Sequence, residues 1–416
     1  MNVRRALNMC KATSKTIRDW HFMGSALLGI IYMAFVSLGL PDGLLGAAWP
    51  AMHTSIGANV SLAGVISMII CLGTIVSSLL TVQLVRRLGT GKLTALSVAL
   101  TAVALFGFSA SAEFWQLVLW AIPYGLGAGA VDASLNAYVA THFAARHMNW
   151  LHCCWGLGAA GGPMIMSWQM GGSAGWPGGY RVVGMLQVAL VVAIALSIPL
   201  WHDQSDAVGQ GENHPASTRR ELLGLPGVKL AMAGFLCYCA LESACGLWAS
   251  TFLVLGHGIS TQTAALLASL FYAGITLGRF FSGMLTLRLD GKQLLRLGET
   301  IMGIGLVVLM VSPGELGLCI GLVLLGLGCA PIYPQMIQLT PERFGMQNAQ
   351  SLMGLQMACA YVGSMAFPPL MGVVVEKVSP LLLPVVAAGL LVLMTVCLTC
   401  CDRRVEAARK AASLNN

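Results

Sequence analysis

Charge is what this sequence most lacks. Asp, Glu, Lys and Arg make up 9% of its 416 residues, against 57% hydrophobic residues, whereas a soluble globular domain carries about a quarter charged residues. So few charges cannot cover a water-facing surface, which excludes a soluble fold. The first twenty residues are polar and basic and lack an apolar core, so no cleavable signal peptide is expected and the first hydrophobic block serves as the insertion signal. No phosphate-binding loop ending in Lys-Ser or Lys-Thr occurs, which removes ATP as a power source, and no H-E-x-x-H pair is present. The chain therefore does not read as an enzyme, and no cofactor is expected.

Metal is also not expected. "ARHMNWLHCCW" (Ala145 to Trp155) groups His147, His152, Cys153 and Cys154, but no pair repeats the spacing of a closed zinc site. The thirteen cysteines fall almost entirely within hydrophobic blocks or at their ends, and read as small apolar packing residues instead of disulfide partners.

What is present is length of apolar run. Mean hydropathy is +0.78, and the hydrophobic residues recur in blocks of the length a helix needs to cross about 30 Å of hydrocarbon at 1.5 Å per residue. Twelve spans result, roughly 22–50, 61–83, 93–110, 114–141, 150–171, 181–201, 229–255, 262–286, 294–311, 315–340, 349–374 and 380–400. A transmembrane barrel would show short alternating strands instead. The expected fold is an all-α polytopic membrane protein of two six-helix bundles.

The net charge of +7 does not point to nucleic acid, because the basic residues are sorted by side. Of 23 Lys and Arg, twenty fall on one face of the twelve-span arrangement; Arg181 and Lys377 lie opposite, and Arg279 lies inside a span. The positive-inside rule then places both termini in the cytoplasm, in a multi-pass protein of the cytoplasmic membrane.

Residues 202–228 include the longest polar stretch and divide the spans six and six. The expected organisation is a cytoplasmic segment 1–21, a first bundle 22–201, the linker 202–228, a second bundle 229–400 and a tail 401–416. At a shift of about 200 residues the halves match weakly but repeatedly. "RRLGTGK" (Arg86 to Lys92) faces "LRLDGK" (Leu287 to Lys292), and "GLGAGAVDASLNAYVATHF" (Gly125 to Phe143) faces "GLGCAPIYPQMIQLTPERF" (Gly326 to Phe344). Asp42 lands on Glu242. Parallel repeats of this kind place a substrate between two bundles near mid-depth.

These features resemble the major facilitator superfamily, and within it the fucose, galactose and glucose proton symporters with their fucose-permease-like relatives. The resemblance covers 22–400 and is strongest in "GLPDGLLGAAWP", "GLGAGAVDASLNAYV", "NWLHCCWGLGAAGGP", "LESACGLWASTFL" and "APIYPQMIQLTPERFG". It implies a proton-driven importer working by alternating access, with spans 1, 4, 7 and 10 lining the cavity. Acids in spans 1 and 4 carry substrate and proton roles in that family, and Asp42 and Asp132 match those positions. The superfamily's loop signature is partly kept: Arg87, Gly89 and Lys92 fit, while Arg86 and Val82 depart. Arg87 and Arg279 are the expected gating residues.

As chemistry, acids inside spans must line a wet cavity, pair or stay protonated. Asp132 is the expected proton site, because a carboxylate shielded from water can exchange protons in the physiological range. Asp42 and Glu242 are expected to contact substrate or a second proton, and Glu299 to sit nearer the cytoplasmic edge. With span 1 centred near residue 35, Asp42 falls about 10 Å outward of centre, Asp132 about 7 Å inward, and Glu242 at centre. Asn136 shares the face of Asp132, four residues on. Amides and aromatic faces suit hydroxylated cargo, and Tyr333, Gln335, Gln338, Gln356, His152, Trp155 and Trp248 complete the expected binding set. The expected partners are a sugar-like solute, protons and the bilayer, in a monomer. Proton-driven export of amphipathic or cationic compounds is the alternative transporter reading; a non-transporting sensor is the reading from another class.

Overall fold

The computed structural model describes residues 26–143, 145–201, 219–312 and 314–414. The segment 1–21 and the linker residues 202–218 fall outside the described residues. Among the described residues, regular structure is entirely helical.

The first half comprises α1 (26–42), α2 (Leu44–Ser55), α3 (Leu62–Leu88), α4 (Thr90–Ala110), α5 (Phe114–His142), α6 (Ala145–Met170) and α7 (Gly175–Ser197). A short α8 (Arg219–Gly224) leads into the second half: α9 (Val228–Thr251), α10 (Thr261–Leu285), α11 (Gly291–Val311), α12 (Glu315–Phe344), α13 (Met346–Lys377) and α14 (Leu383–Leu414). Among the described residues, eleven segments are long and apolar enough to cross a membrane, α1 and α2 counting together as Ala26–Ser55. The long helix outside that set is α6, which has 26 residues but is diluted by His147, His152, Gln169 and a run of glycines. It packs among the others, against α7 and α10.

Several boundaries lie about five residues or more from expectation, those of the first and last spans among them. The first span runs on to Ser55, because Pro50 sits inside α2 without ending it. The last helix continues through the basic residues beyond 400 to Leu414. There Arg343 pairs with Asp402 at 2.9 Å and Lys292 with Glu406 at 3.4 Å, tying α14 to its own half. Glu299 is likewise spent locally, on Arg296 at 2.7 Å.

Packing repeats in the two halves. Spans 2 and 4, 3 and 4, and 3 and 6 pack together as α3·α5, α4·α5 and α4·α7; their counterparts α10·α12, α11·α12 and α11·α14 do the same. Between the halves, α6 meets α10 and α3 meets α13, which are the same contact under exchange of the repeats. A pseudo-two-fold arrangement of bundles follows.

Taking the side where α1 starts and α14 ends as the terminal face, on the opposite, far face the Ser61 amide donates to Glu376 Oε2 at 2.9 Å, Ser167 Oγ to the Gln262 carbonyl at 2.8 Å, and Ser250 Oγ to the Ala47 carbonyl at 3.5 Å. Gly64 and Pro369 touch there, as do Gly46 and Leu247. The bundles thus meet at the far face.

The first span is interrupted at the single residue Gly43, just after a proline. Pro41 has no N–H, so the Ser37 carbonyl loses its helical donor. Gln187 of α7 replaces it, donating from Nε2 at 3.1 Å, while Thr101 of α4 donates to Gln187 Oε1 at 2.8 Å. Gln187 and Thr101 are buried. Gln187→Leu is expected to lower the thermal unfolding midpoint of the purified protein through a loss of about 1–3 kcal/mol, since a buried carbonyl is left without a donor.

Candidate functional site

The break sets Asp42 at the end of α1. Gly43 follows in an ordinary helical conformation (φ −88°, ψ −9°), so its glycine is needed for space and not for backbone freedom. A methyl group there would stand 2.6 Å from Pro163 Cγ of α6. Farther along the same contact, a side chain at Gly158 would overlap the Val36 carbonyl, and one at Gly162 the Leu40 carbonyl. The small-residue run of α6 therefore lets two backbones touch, the usual use of such runs in lipid. Its consequence is local: Trp155, just before the run, reaches Asp42.

Asp42 lies deep in the molecule yet is solvent-accessible. Its carboxylate accepts from Trp155 Nε1 at 2.7 Å on Oδ2 and from the Tyr124 hydroxyl at 3.3 Å on Oδ1. Above the Trp155 ring, Arg279 of α10 places its guanidinium carbon 4.9 Å from the centroid, a cation–π contact. A chain of three side chains, Asp42, Trp155 and Arg279, thus crosses from one half to the other. Gly156 seals this crossing against Thr276 of α10.

Arg279 interacts electrostatically with Glu242 and with His152. Glu242 is half-buried at the middle of its span, Val228–Gly256. Because the first span extends over Ala26–Ser55, Asp42 sits about 2 Å from its centre at 1.5 Å per residue. Gly46 lies against Leu247 and Ser250 bonds the Ala47 carbonyl, so Asp42 and Glu242 stand at similar levels of neighbouring helices. Asp132 lies about 6 Å from the centre of α5 toward the terminal face. It accepts from Asn136 Nδ2 at 2.9 Å. Tyr333 of α12 interacts electrostatically with Glu242 of its own half and with Asp132 of the other, and its hydroxyl meets Met357 Sδ at 2.9 Å. His152 and Phe35 meet edge to face, their ring centroids 5.9 Å apart.

Not every residue expected at the site is brought here. Trp248 is fully buried and donates to the Pro368 carbonyl at 3.0 Å, the counterpart of Trp49 donating to the Val60 carbonyl at 2.7 Å. Gln356 accepts from Thr340 Oγ1 at 2.9 Å, and Gln335 is buried with its amide oxygen against Gly291. These three hold helices of the second half together and do not face Asp42. Gln338 is exposed on α12, and Arg87 is exposed at the terminal end of α3.

Three tyrosines belong to the cluster and lie outside the set expected from the sequence. Tyr124 bonds Asp42, Tyr272 interacts with both Asp42 and Glu242, and Tyr238 contacts Glu242 while donating to the Cys329 carbonyl at 2.9 Å. Helical spacing carries the signal that finds them. Tyr238 precedes Glu242 by four residues, Tyr124 precedes Asp132 by eight, and Tyr272 precedes Arg279 by seven, so each shares a face with a charged residue.

Comparison with known proteins agrees with this architecture. The chain is 25% identical over 365 residues to "Membrane protein MosC" of Rhizobium meliloti, covering 84% of this chain and 86% of that protein. Its fold is similar to that of a point mutant of the nucleoside transporter NupG, with a TM-score of 0.72 at 15% identity over 90% of this chain and 99% of that one. It is also similar to a bacterial homolog of the human lysosomal transporter Spinster, solved in an inward-facing, unoccupied conformation, with a TM-score of 0.67 at 14% identity over 94% and 97% of the two chains. The sequence profile of the Major Facilitator Superfamily matches residues 31–263 and again 230–414, the two overlapping matches together covering both six-span halves. With its repeated bundles, its acids at mid-depth and that profile over nearly the whole chain, this protein belongs to the Major Facilitator Superfamily and is a membrane transporter, not an enzyme.

Proposed function

We propose that this transporter imports a sugar or related small hydroxylated solute together with protons, by alternating access. The observation that carries the reading is Asp42: a solvent-accessible carboxylate at a helix break, at mid-depth, held by Trp155 and Tyr124. Interruptions of a spanning helix at transport sites are a known way of exposing polar groups to cargo, and the one at Gly43 follows Asp42 directly. The resemblance of "GLPDGLLGAAWP" and "GLGAGAVDASLNAYV" to the fucose-permease-like symporters supports a hydroxylated cargo. So does NupG, a structural neighbour that carries nucleosides.

In this reading the terminal face is cytoplasmic, as the sorting of Lys and Arg implies, and the chain sits as a monomer in the cytoplasmic membrane. The contacts that close the far face support an inward-facing state in this reading. Asp132 carries the transported proton, with Asn136 orienting it. Asp42 and Glu242 bind cargo or a second proton, and His152, Trp155 and Tyr333 line its path. Arg279 closes the seam on Trp155, and Arg87 acts at the cytoplasmic end.

The test is a thermal-shift screen of sugars on purified protein, followed by uptake of a hit into proteoliposomes with an alkaline interior. Accumulation above equilibrium that a protonophore collapses is expected. Uptake that ignores the protonophore, or stabilisation by hydrophobic cations alone, would replace this reading with export or facilitated diffusion.

A further inference from the structure

Arg279 is an unusual residue to find in a span, and its surroundings leave it incompletely used. Among the described residues it has no carboxylate in ion-pair contact and no hydrogen-bond acceptor, and its guanidinium lies over the Trp155 ring. A guanidinium carries five N–H donors in its plane. With the face against an indole, the edges remain for another acceptor. A cation at this depth is costly unless it is compensated, and the compensation present is the longer-range interaction with Glu242.

The fork geometry of arginine matches a planar, two-oxygen acceptor better than a hydroxyl group. Among the described residues, Arg279 is also the only cation acting on Glu242, His152 and Cys153. A single cation suits a single negative charge, which favours a carboxylate over a phosphate dianion. Beside it, Asp42, Tyr124 and Tyr272 offer acceptors and donors for hydroxyl groups, and Trp155 offers an apolar face.

We propose that the cargo is a hydroxylated monocarboxylate of the sugar-acid kind, whose carboxylate docks on the Arg279 fork, and that it crosses with one proton carried on an acid of the same cavity. This deepens the proton-coupled reading above and rests on it. Charge supports the stoichiometry. In the empty cavity Glu242 compensates Arg279; once a carboxylate takes that place, one proton on the cavity acids restores the same net charge. The loaded and empty carriers then differ by no charge, and the cycle is electroneutral.

Wild-type protein, Arg279→Gln and Arg279→Lys, each checked for a monodisperse folded peak, would be compared in thermal-shift binding with D-glucuronate, D-galacturonate and D-gluconate against D-glucose and L-fucose. The sugar acids are expected to bind wild type at least about tenfold more tightly than the neutral sugars, and Arg279→Gln to remove that preference, as expected when one partner of a charge-assisted pair is deleted. Arg279→Lys should restore only part of it. In proteoliposomes, uptake of radiolabelled sugar acid should follow an imposed pH gradient and be indifferent to a potassium diffusion potential set with valinomycin. Neutral sugars bound as well as the acids, with Arg279→Gln unchanged, would overturn the inference and leave the sugar–proton reading standing. Uptake of the acid that responds to the potential alone would overturn the one-proton stoichiometry. If neither acids nor neutral sugars bind, the inference and the reading beneath it fall together.

Discussion

Replacing Asp132 by Asn is expected to end uphill accumulation of substrate while counterflow exchange continues. Asn keeps the shape of the side chain and can still accept from Asn136 Nδ2, which now meets Asp132 Oδ1 at 2.9 Å, but it holds no exchangeable proton. Uptake driven by a pH gradient should fall to the equilibrium level, removing a coupling of roughly 5- to 150-fold, the range given by a coupling free energy of about 1–3 kcal/mol. Asp42→Asn should behave differently. Its amide would turn an N–H toward either Trp155 or Tyr124, both of which donate to Asp42, so one donor would face another. Exchange and accumulation should therefore fall together in Asp42→Asn. Proteoliposome uptake and counterflow, measured side by side, separate the two variants; intact accumulation in Asp132→Asn would move the proton site elsewhere.

The second large effect concerns Gly162. A side chain there would overlap the Leu40 carbonyl of α1, because α6 and α1 touch backbone to backbone just beyond Asp42. Gly162→Val is expected to force the helices apart, at a cost of about 1–3 kcal/mol or more, and to draw Trp155 away from Asp42. Thermal unfolding should shift down and transport should be lost. Gly161 is the natural control, since its nearest neighbour is the end of the Leu40 side chain at 3.4 Å, an ordinary contact. Gly161→Ala should be tolerated on both measurements. Equal behaviour of the two variants would show that the close approach of α1 and α6 is not what positions the site.

Much of this architecture is legible in the sequence for a physical reason. Spans are set by block length and the two halves by their shared motifs, both of which survive without coordinates. The pairing of Asp42 with Glu242 follows from the repeat, and the two residues do lie at one depth. The extent of the first helix is not legible, because Pro50 looks like a terminator and is instead accommodated within α2. Nor is the split among the polar candidates. In helices that are apolar nearly all round, hydropathy does not say which side meets the cavity, and an amide such as Gln356 serves equally well as a bond between helices. The tyrosines around the acids follow helical spacing from charged residues, a pattern available to a reading centred on faces and not on residue types. Trp155 is identifiable; its link to Arg279 requires the packing of α6 on α10.

In the proposed cycle Asp42 faces a cavity between two halves that open alternately, so the far face, closed in this structure, must open. A reversible crosslink across that face tests it most directly. Ser61 and Glu376 are in contact there, the Ser61 amide donating to the carboxylate at 2.9 Å. In a variant whose native cysteines are replaced, Ser61→Cys with Glu376→Cys should form a disulfide or accept a short bifunctional reagent. Oxidation is expected to abolish transport, reduction to restore it, and substrate binding from the terminal face to survive in the oxidised protein. Full transport with the crosslink closed would contradict the proposed cycle.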